Sequence, residues 1–147
     1  MTIKNLEKIN RISHKIINAA IEVHKNLGPG FLESVYEDAM CIELDLQGLT
    51  YERQKEINIL YKDHHIKGQR LDLLVEDLII IENKAISEVL PIHKMILVSY
   101  LKATSKRIGL LINFHEQLLK DGIHRILLPD KYVNKWSLLT LFPSFWR

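Results

Sequence analysis

Glu82-Asn83-Lys84 follows the apolar run Leu78-Ile79-Ile80-Ile81, and no other stretch of the chain has clearer chemical potential. A short, β-branched apolar run reads as a central strand buried on both faces. Residues two apart on a strand point to one face, so a carboxylate and an ammonium emerge there side by side. The preceding strand, Gln69–Val75, joins this one around Glu76-Asp77. If the turn centres on Asp77, Asp72 falls directly opposite Glu82, with Cβ atoms about 4.5–5.5 Å apart. Two carboxylates that close repel each other unless something positive sits between them. A divalent cation does that, and carboxylate oxygens suit Mg²⁺. Lys84 can then hold or deprotonate a water, or steady a charged transition state. The plainer alternative is a surface ion pair between Lys84 and either acid. A one-residue slip in register would break the opposition altogether.

A second feature is Gly30-Phe31-Leu32-Glu33-Ser34-Val35-Tyr36. Glu33 falls in the first turn of a helix, where a carboxylate complements the dipole. It could equally be a third acid brought over the strand end, with Tyr36 three residues on along the same helix face. Lys4, Lys8, Arg11 and Lys15 recur at helical spacing and form one basic stripe, either a solvated face or a surface for nucleic-acid backbone. His64-His65 is a turn pair without a third ligand at zinc spacing. No HExxH, CxxC, Walker-type or GxGxxG run is present.

The elements that must position these residues follow from periodicity. Residues 3–27 read as an amphipathic helix with Ile9, Ile12, Ile16, Ala20, Val23 and Leu27 inward. Gly28-Pro29-Gly30 stops it. A second helix, Phe31–Gln47, is expected to turn Leu32, Val35, Ala39, Ile42 and Leu46 inward, with Cys41 packed near that face, and to end at Gly48. Tyr51–Tyr61 reads as a strand with Ile57, Ile59 and Tyr61 alternating, followed by a polar turn at Lys62-Asp63-His64-His65. After the two strands already named, Leu78–Ala85 being the second, Pro91–Ala103 reads as a helix with Ile92, Ile96, Leu97 and Tyr100 on its apolar face. Ile108–Phe114 and Ile123–Leu128 are further strands. The order ααβββαββ predicts an α/β (α+β) fold with a mixed sheet flanked by helices.

At 147 residues the chain fits one domain, expected over residues 1–128, with an aromatic tail over 129–147 carrying Trp136, Phe142, Phe145 and Trp146. Its 47% hydrophobic and 26% charged fractions exclude bulk disorder. One cysteine excludes an internal disulfide and a Cys-rich zinc site. The polar start and the short apolar runs predict no membrane span and a cytoplasmic protein. Net charge is +2, but its distribution is uneven: two acidic islands, 28–48 and 72–90, lie in basic surroundings. That arrangement fits a carboxylate site for a cation with flanks that hold a polyanion.

LGPGFLESVYE, RLDLLVED, IIIENKA, LPIH…SYLKA and RIGLLINF, in that order, resemble the GxxExxY proteins, a family placed in the PD-(D/E)XK nuclease superfamily. The resemblance runs from about Ile12 to Leu128. It implies the restriction-endonuclease-like fold and a metal-dependent phosphodiesterase site. Glu33 matches the family's helix-borne glutamate, Asp72 the signature aspartate, and Glu82 and Lys84 the (D/E)xK pair. Gly30 and Tyr36 match the family motif. The expectation is a nuclease using Mg²⁺, with Mn²⁺ as a substitute. Asp72, Glu82 and Glu33 would serve the metal, and Lys84 the attacking water. The expected partner is nucleic acid, DNA rather than RNA, with self-association through the aromatic tail. Similar nucleases often carry Gln-x-x-x-Tyr on the helix after this strand. Here Tyr100 is present, but Ile96 stands at the Gln position. The alternatives are a nucleic-acid-binding module with a vestigial site, or an interaction protein using the tail.

Overall fold

A computed structural model describes residues 2–129. Helix α1 spans Ile3–Leu27. Thr2 caps it by accepting the Asn5 N–H, and Gly28, at φ 67°, ends it by donating to the His24 carbonyl. Helix α2 follows at Glu33–Leu46, then β1 at Tyr51–Tyr61, β2 at His64–Val75 and β3 at Ile79–Lys84. Helix α3, Pro91–Thr104, crosses over to β4, Ile108–Asn113; a short 3-10 turn at Leu119–Gly122 leads into β5, Ile123–Leu127. The sheet order is β1-β2-β3-β4-β5. Among the described residues only β3 and β4 run parallel, which is why they need the helical crossover. The expected element order and mixed sheet are therefore present.

Helices cover both faces of the sheet. Along β3, Ile79 and Ile81 pack toward α1 and α2, while Ile80 packs toward α3. In β4, Ile108, Leu110 and Ile112 join the first cluster and Leu111 the second. That alternation is how unbroken apolar runs bury on both faces. Gly109 lets α3 come close: a Cβ there would meet Leu97 Cδ1 at 2.7 Å.

Some expectations need correction. In α2 the buried residues are Tyr36, Glu37, Met40, Cys41 and Leu44, whereas Leu32, Val35, Ile42 and Leu46 are exposed. Both stripes have helical spacing; the winner buries a tyrosine ring against Phe114, which carries more apolar area than the leucines it displaced. Cys41 packs as expected. Ile92 is exposed, and the buried face of α3 is Leu97, Val98 and Leu101. In β1 only Ile57 is buried; Ile59 is half-buried and Tyr61 exposed. Strand β2 starts at His64, five residues before the expected Gln69. The tail, apart from Pro129, lies outside the described residues.

Candidate active site

The hairpin register is the one required to oppose the two acids. Leu73 pairs with Ile81, Leu74 with Ile80 and Val75 with Ile79. Glu76 and Asp77 both take left-handed φ, 53° and 54°, and the Leu78 N–H returns to the Val75 carbonyl. The ladder ends at Leu73–Ile81, and at the next pair the carboxyls replace backbone carbonyls as acceptors. The Asp72 N–H donates to Glu82 Oε1 at 3.3 Å, and the Asn83 N–H donates to Asp72 Oδ2 at 2.9 Å. The strands thus part where the two acids meet.

The neighbouring strand is irregular at the same level. Gln54 of β1, between the pairs Arg53–Leu73 and Lys55–Leu71, has φ 49°. An L side chain seldom takes that conformation. Face alternation along β2 also breaks here: Leu73 and Val75 pack on the α1/α2 side, but Leu71 joins Leu74 on the α3 side. Gln54 Nε2 donates to Glu37 Oε1 at 2.7 Å and reaches Asp72 Oδ1 at 3.5 Å. Arg53 holds Glu37 and Asp38 together, at 2.9 and 2.5 Å.

Glu33 opens α2 and accepts the Ala85 N–H at 3.4 Å, just past the end of β3. It is exposed, while Tyr36 is buried, so the two do not share a working face. The Tyr36 hydroxyl donates to the Gly28 carbonyl at 2.6 Å and accepts the Phe31 N–H at 3.2 Å. Its ring stacks on Phe114 with centroids 4.5 Å apart. Tyr36 therefore clamps the Gly28–Phe31 loop that sets where α2, and with it Glu33, begins. Gly30 lies inside the clamped loop at φ 116°. On the other side, the buried Asn113 amide brackets Ile86, donating to its carbonyl and accepting its N–H. Phe114 N–H donates to the Lys84 carbonyl. These bonds fix the exit of β3.

The electrostatics follow from burial. Glu82 is 5% exposed. Burial first, and then the Asp72 charge, pushes its carboxyl up to about 8, against the pull of Lys84. Asp72 is raised as well, mainly by burial, with Glu37 and Glu33 adding repulsion and the Asn83 N–H and Lys84 opposing it. Burial raises the Tyr100 phenol too, and the charges of Glu82 and Asp72 push it further, which puts Tyr100 within their field. Its hydroxyl donates to Gln69 Oε1 at 3.0 Å.

Asp72, Glu82, Lys84 and Glu33 are thus gathered at one end of the sheet, with Tyr100 near them. Among the described residues, no three His, Cys, Asp or Glu side chains converge as a ready-made metal cluster. The donors on offer are two crowded, desolvated carboxyls with Glu33 beside them. That set suits a hard cation that keeps several waters. The basic stripe is elsewhere. Lys4, Lys8, Arg11 and Lys15 are exposed, and Lys8 and Lys15 act on Glu76, at the turn end of the hairpin. Along β2 that turn lies four residues from Asp72, roughly 13 Å. Reading the sequence missed Glu37, Arg53 and Gln54. Glu37 had a signal, one helical turn after Glu33; the left-handed Gln54 had none.

A family model for the PD-(D/E)XK nuclease superfamily matches residues 10–126. No curated protein and no solved structure matches the chain. The match takes in most of α1, the whole sheet up to Ile126 and every carboxylate described above, so the chain belongs to the PD-(D/E)XK nuclease superfamily.

Proposed function

We propose that the protein is a metal-dependent nuclease that hydrolyses phosphodiester bonds in DNA. The observation that carries this reading is the Asp72–Glu82 pair, two desolvated carboxyls side by side where β2 and β3 part, with Lys84 two residues on. Nucleases of this superfamily generally use divalent metals. Asp72 and Glu82 would hold the ion, here Mg²⁺ with Mn²⁺ as a substitute, and Glu33 would assist. A bound ion supplies Lewis acidity to the phosphate and makes a nearby water a better nucleophile. Lys84 orients that water and offsets negative charge as it develops on the phosphate. Tyr36, through its clamp on the Gly28–Phe31 loop, holds Glu33 at the strand end. The spacing Gly30, Glu33, Tyr36 supports placement in the GxxExxY branch. We assign the α1 stripe, Lys4, Lys8, Arg11 and Lys15, to backbone phosphates away from the cleavage point. No helix among the described residues is long and apolar enough to cross a membrane. We place the protein in the cytoplasm, and self-association through the aromatic tail belongs to this proposal.

The test is cleavage of a panel of duplex, single-stranded and RNA substrates by purified protein in Mg²⁺, Mn²⁺ or EDTA. Cleavage in metal is expected, and its loss in Asp72→Ala, Glu82→Ala and Lys84→Ala with the fold intact. Cutting by Glu82→Ala at the wild-type rate refutes the assignment. A second reading, a nucleic-acid-binding module with a vestigial site, is favoured by Ile96. It expects salt-sensitive binding with no metal-dependent cleavage.

A further inference from the structure

Strands β1 and β2 are longer than the sheet they belong to. Only Leu73–Val75 of β2 pair with β3, yet the β1–β2 ladder continues to Tyr61–His64. From Tyr61 to Arg70 every residue is exposed. This two-stranded ribbon leaves the sheet at Asp72, where the carboxylates sit, and turns at Lys62-Asp63, both with left-handed φ, 45° and 64°. Asp63 lies nine residues from Asp72, about 30 Å along the strand; the β1 side packs on the α3 cluster through Ile57 and Ile59 and is free of it beyond Ile59. Gly68, at φ 119°, lies where the register slips between Ile57 and Ile59, so the ribbon bends partway along. Tyr100 ties its root to α3 through Gln69.

Charge distinguishes the root of the ribbon from the rest. At the root the cations are neutralised: Arg53 by Glu37 and Asp38, Lys55 by Glu52. Farther out, Lys62 and Lys67 form no ion pair among the described residues, and Arg70, beside the root and opposite Glu56 in the ladder, forms none either. Lys62 lies over the Tyr61 ring at 5.6 Å, and His64 and His65 follow the turn. Two acids, Glu56 and Asp63, are present; Asp63 occupies a turn position that favours Asp for its backbone geometry. The cations without carboxylate partners point to a polyanion.

We propose that the β1–β2 ribbon is a DNA-gripping arm that lies in the major groove of a B-form duplex beside the bond presented to Asp72 and Glu82. This rests on the nuclease reading for its orientation. The major groove of B-DNA admits a two-stranded ribbon, and the exposed stretch from Asp63 to Arg70, about 23 Å, covers about two-thirds of a helical turn. The deep, narrow major groove of A-form RNA does not admit one. The arm therefore selects duplex DNA over duplex RNA. Lys62, Lys67 and Arg70 supply the phosphate contacts.

Full-length protein is titrated into a labelled 24-base-pair DNA duplex in EDTA, at several salt concentrations, and into an RNA duplex of the same sequence. The variant is Lys62→Gln/Lys67→Gln/Arg70→Gln, three exposed changes, with its melting curve checked against wild type. Wild type is expected to bind DNA at least tenfold tighter than RNA. The variant should flatten the log–log salt slope by about 0.9 per lost phosphate contact, between two and three in all. An unchanged slope, equal affinity for the two duplexes, or no binding by wild type overturns the arm. Cleavage of the same DNA in Mg²⁺ separates the two ideas. Metal-dependent cutting with an unchanged slope removes the arm and leaves the nuclease. Arm-dependent binding without cutting removes the nuclease and leaves the arm.

Discussion

The buried Glu82 carboxyl makes the metal-free protein less stable as pH rises, and Glu82→Gln should abolish most of that loss. In the unfolded chain this carboxyl titrates near 4.5; in the folded protein it is pushed up to about 8, by burial and by Asp72. Between those values the folded state holds a proton that the unfolded state has released. Stability then falls with pH, because the native state binds more protons. The contribution is intact below pH 4.5 and gone once pH passes 8. A displacement of that size corresponds to several kcal/mol, about 3–6, at the upper end. Against a typical total of about 5–15 kcal/mol this is a large fraction, and it should lower the melting temperature by about 10 °C. Asp72, also raised, works in the same direction and leaves a residual slope. Glutamine keeps an oxygen to accept the Asp72 N–H, so the variant removes the charge and spares the bond. The assay is unfolding in EDTA from pH 5 to 9, by urea and by heat. Wild type should weaken steadily; Glu82→Gln should be flatter and the more stable of the two at pH 8.5. Added Mg²⁺ should restore wild type more at pH 8 than at pH 5.5. A wild-type stability that is level or rising across this window would sink the reasoning.

Further outcomes follow from other contacts. Tyr36→Phe removes the hydroxyl that joins the Gly28 carbonyl and the Phe31 N–H, so it should cost about 1–3 kcal/mol and slow cleavage by loosening Glu33; a melt and a cleavage assay on one sample check both. Ile96 is half-buried, one helical turn before Tyr100, and lies outside the buried cluster of α3, so Ile96→Gln should shift the melting temperature by only a few degrees. If Ile96 in place of the amide leaves the proposed nuclease slow and not dead, the same variant gains cleavage rate by up to about 10²–10³-fold, and lower stability with no gain would refute that reading. Replacing Lys4, Lys8, Arg11 and Lys15 with Gln should reduce the salt slope only on duplexes reaching about 13 Å, or four base pairs, past the cleaved bond. The same reduction on a shorter duplex would place the stripe at the site.

What could be read from the residues, and what could not, divides along a physical line. Ile79–Lys84 and Ile108–Asn113 were legible because strands buried on both faces leave continuous apolar runs. Helix α1 matched to the residue because its one-sided burial leaves a clean 3.6-residue stripe and Gly28 ends it. The Asp72–Glu82 opposition needed only a turn centre, since a hairpin's register follows from its turn. The ribbon was half hidden for the opposite reason. His64–Arg70 buries nothing, so no alternation marks it, and its ladder rests on backbone bonds that any sequence can make. In α2 two apolar stripes competed, and only the Phe114 ring on the far side of the core decided for Tyr36. Gln54 depends on a left-handed backbone imposed where β2 changes face, a tertiary constraint with no local signature. The local signals therefore fixed where the carboxylates stand. The non-local ones, Tyr36 on its loop and Gln54 between Glu37 and Asp72, fix how rigidly they are held. For two acids that repel once both are ionised, that rigidity keeps them side by side.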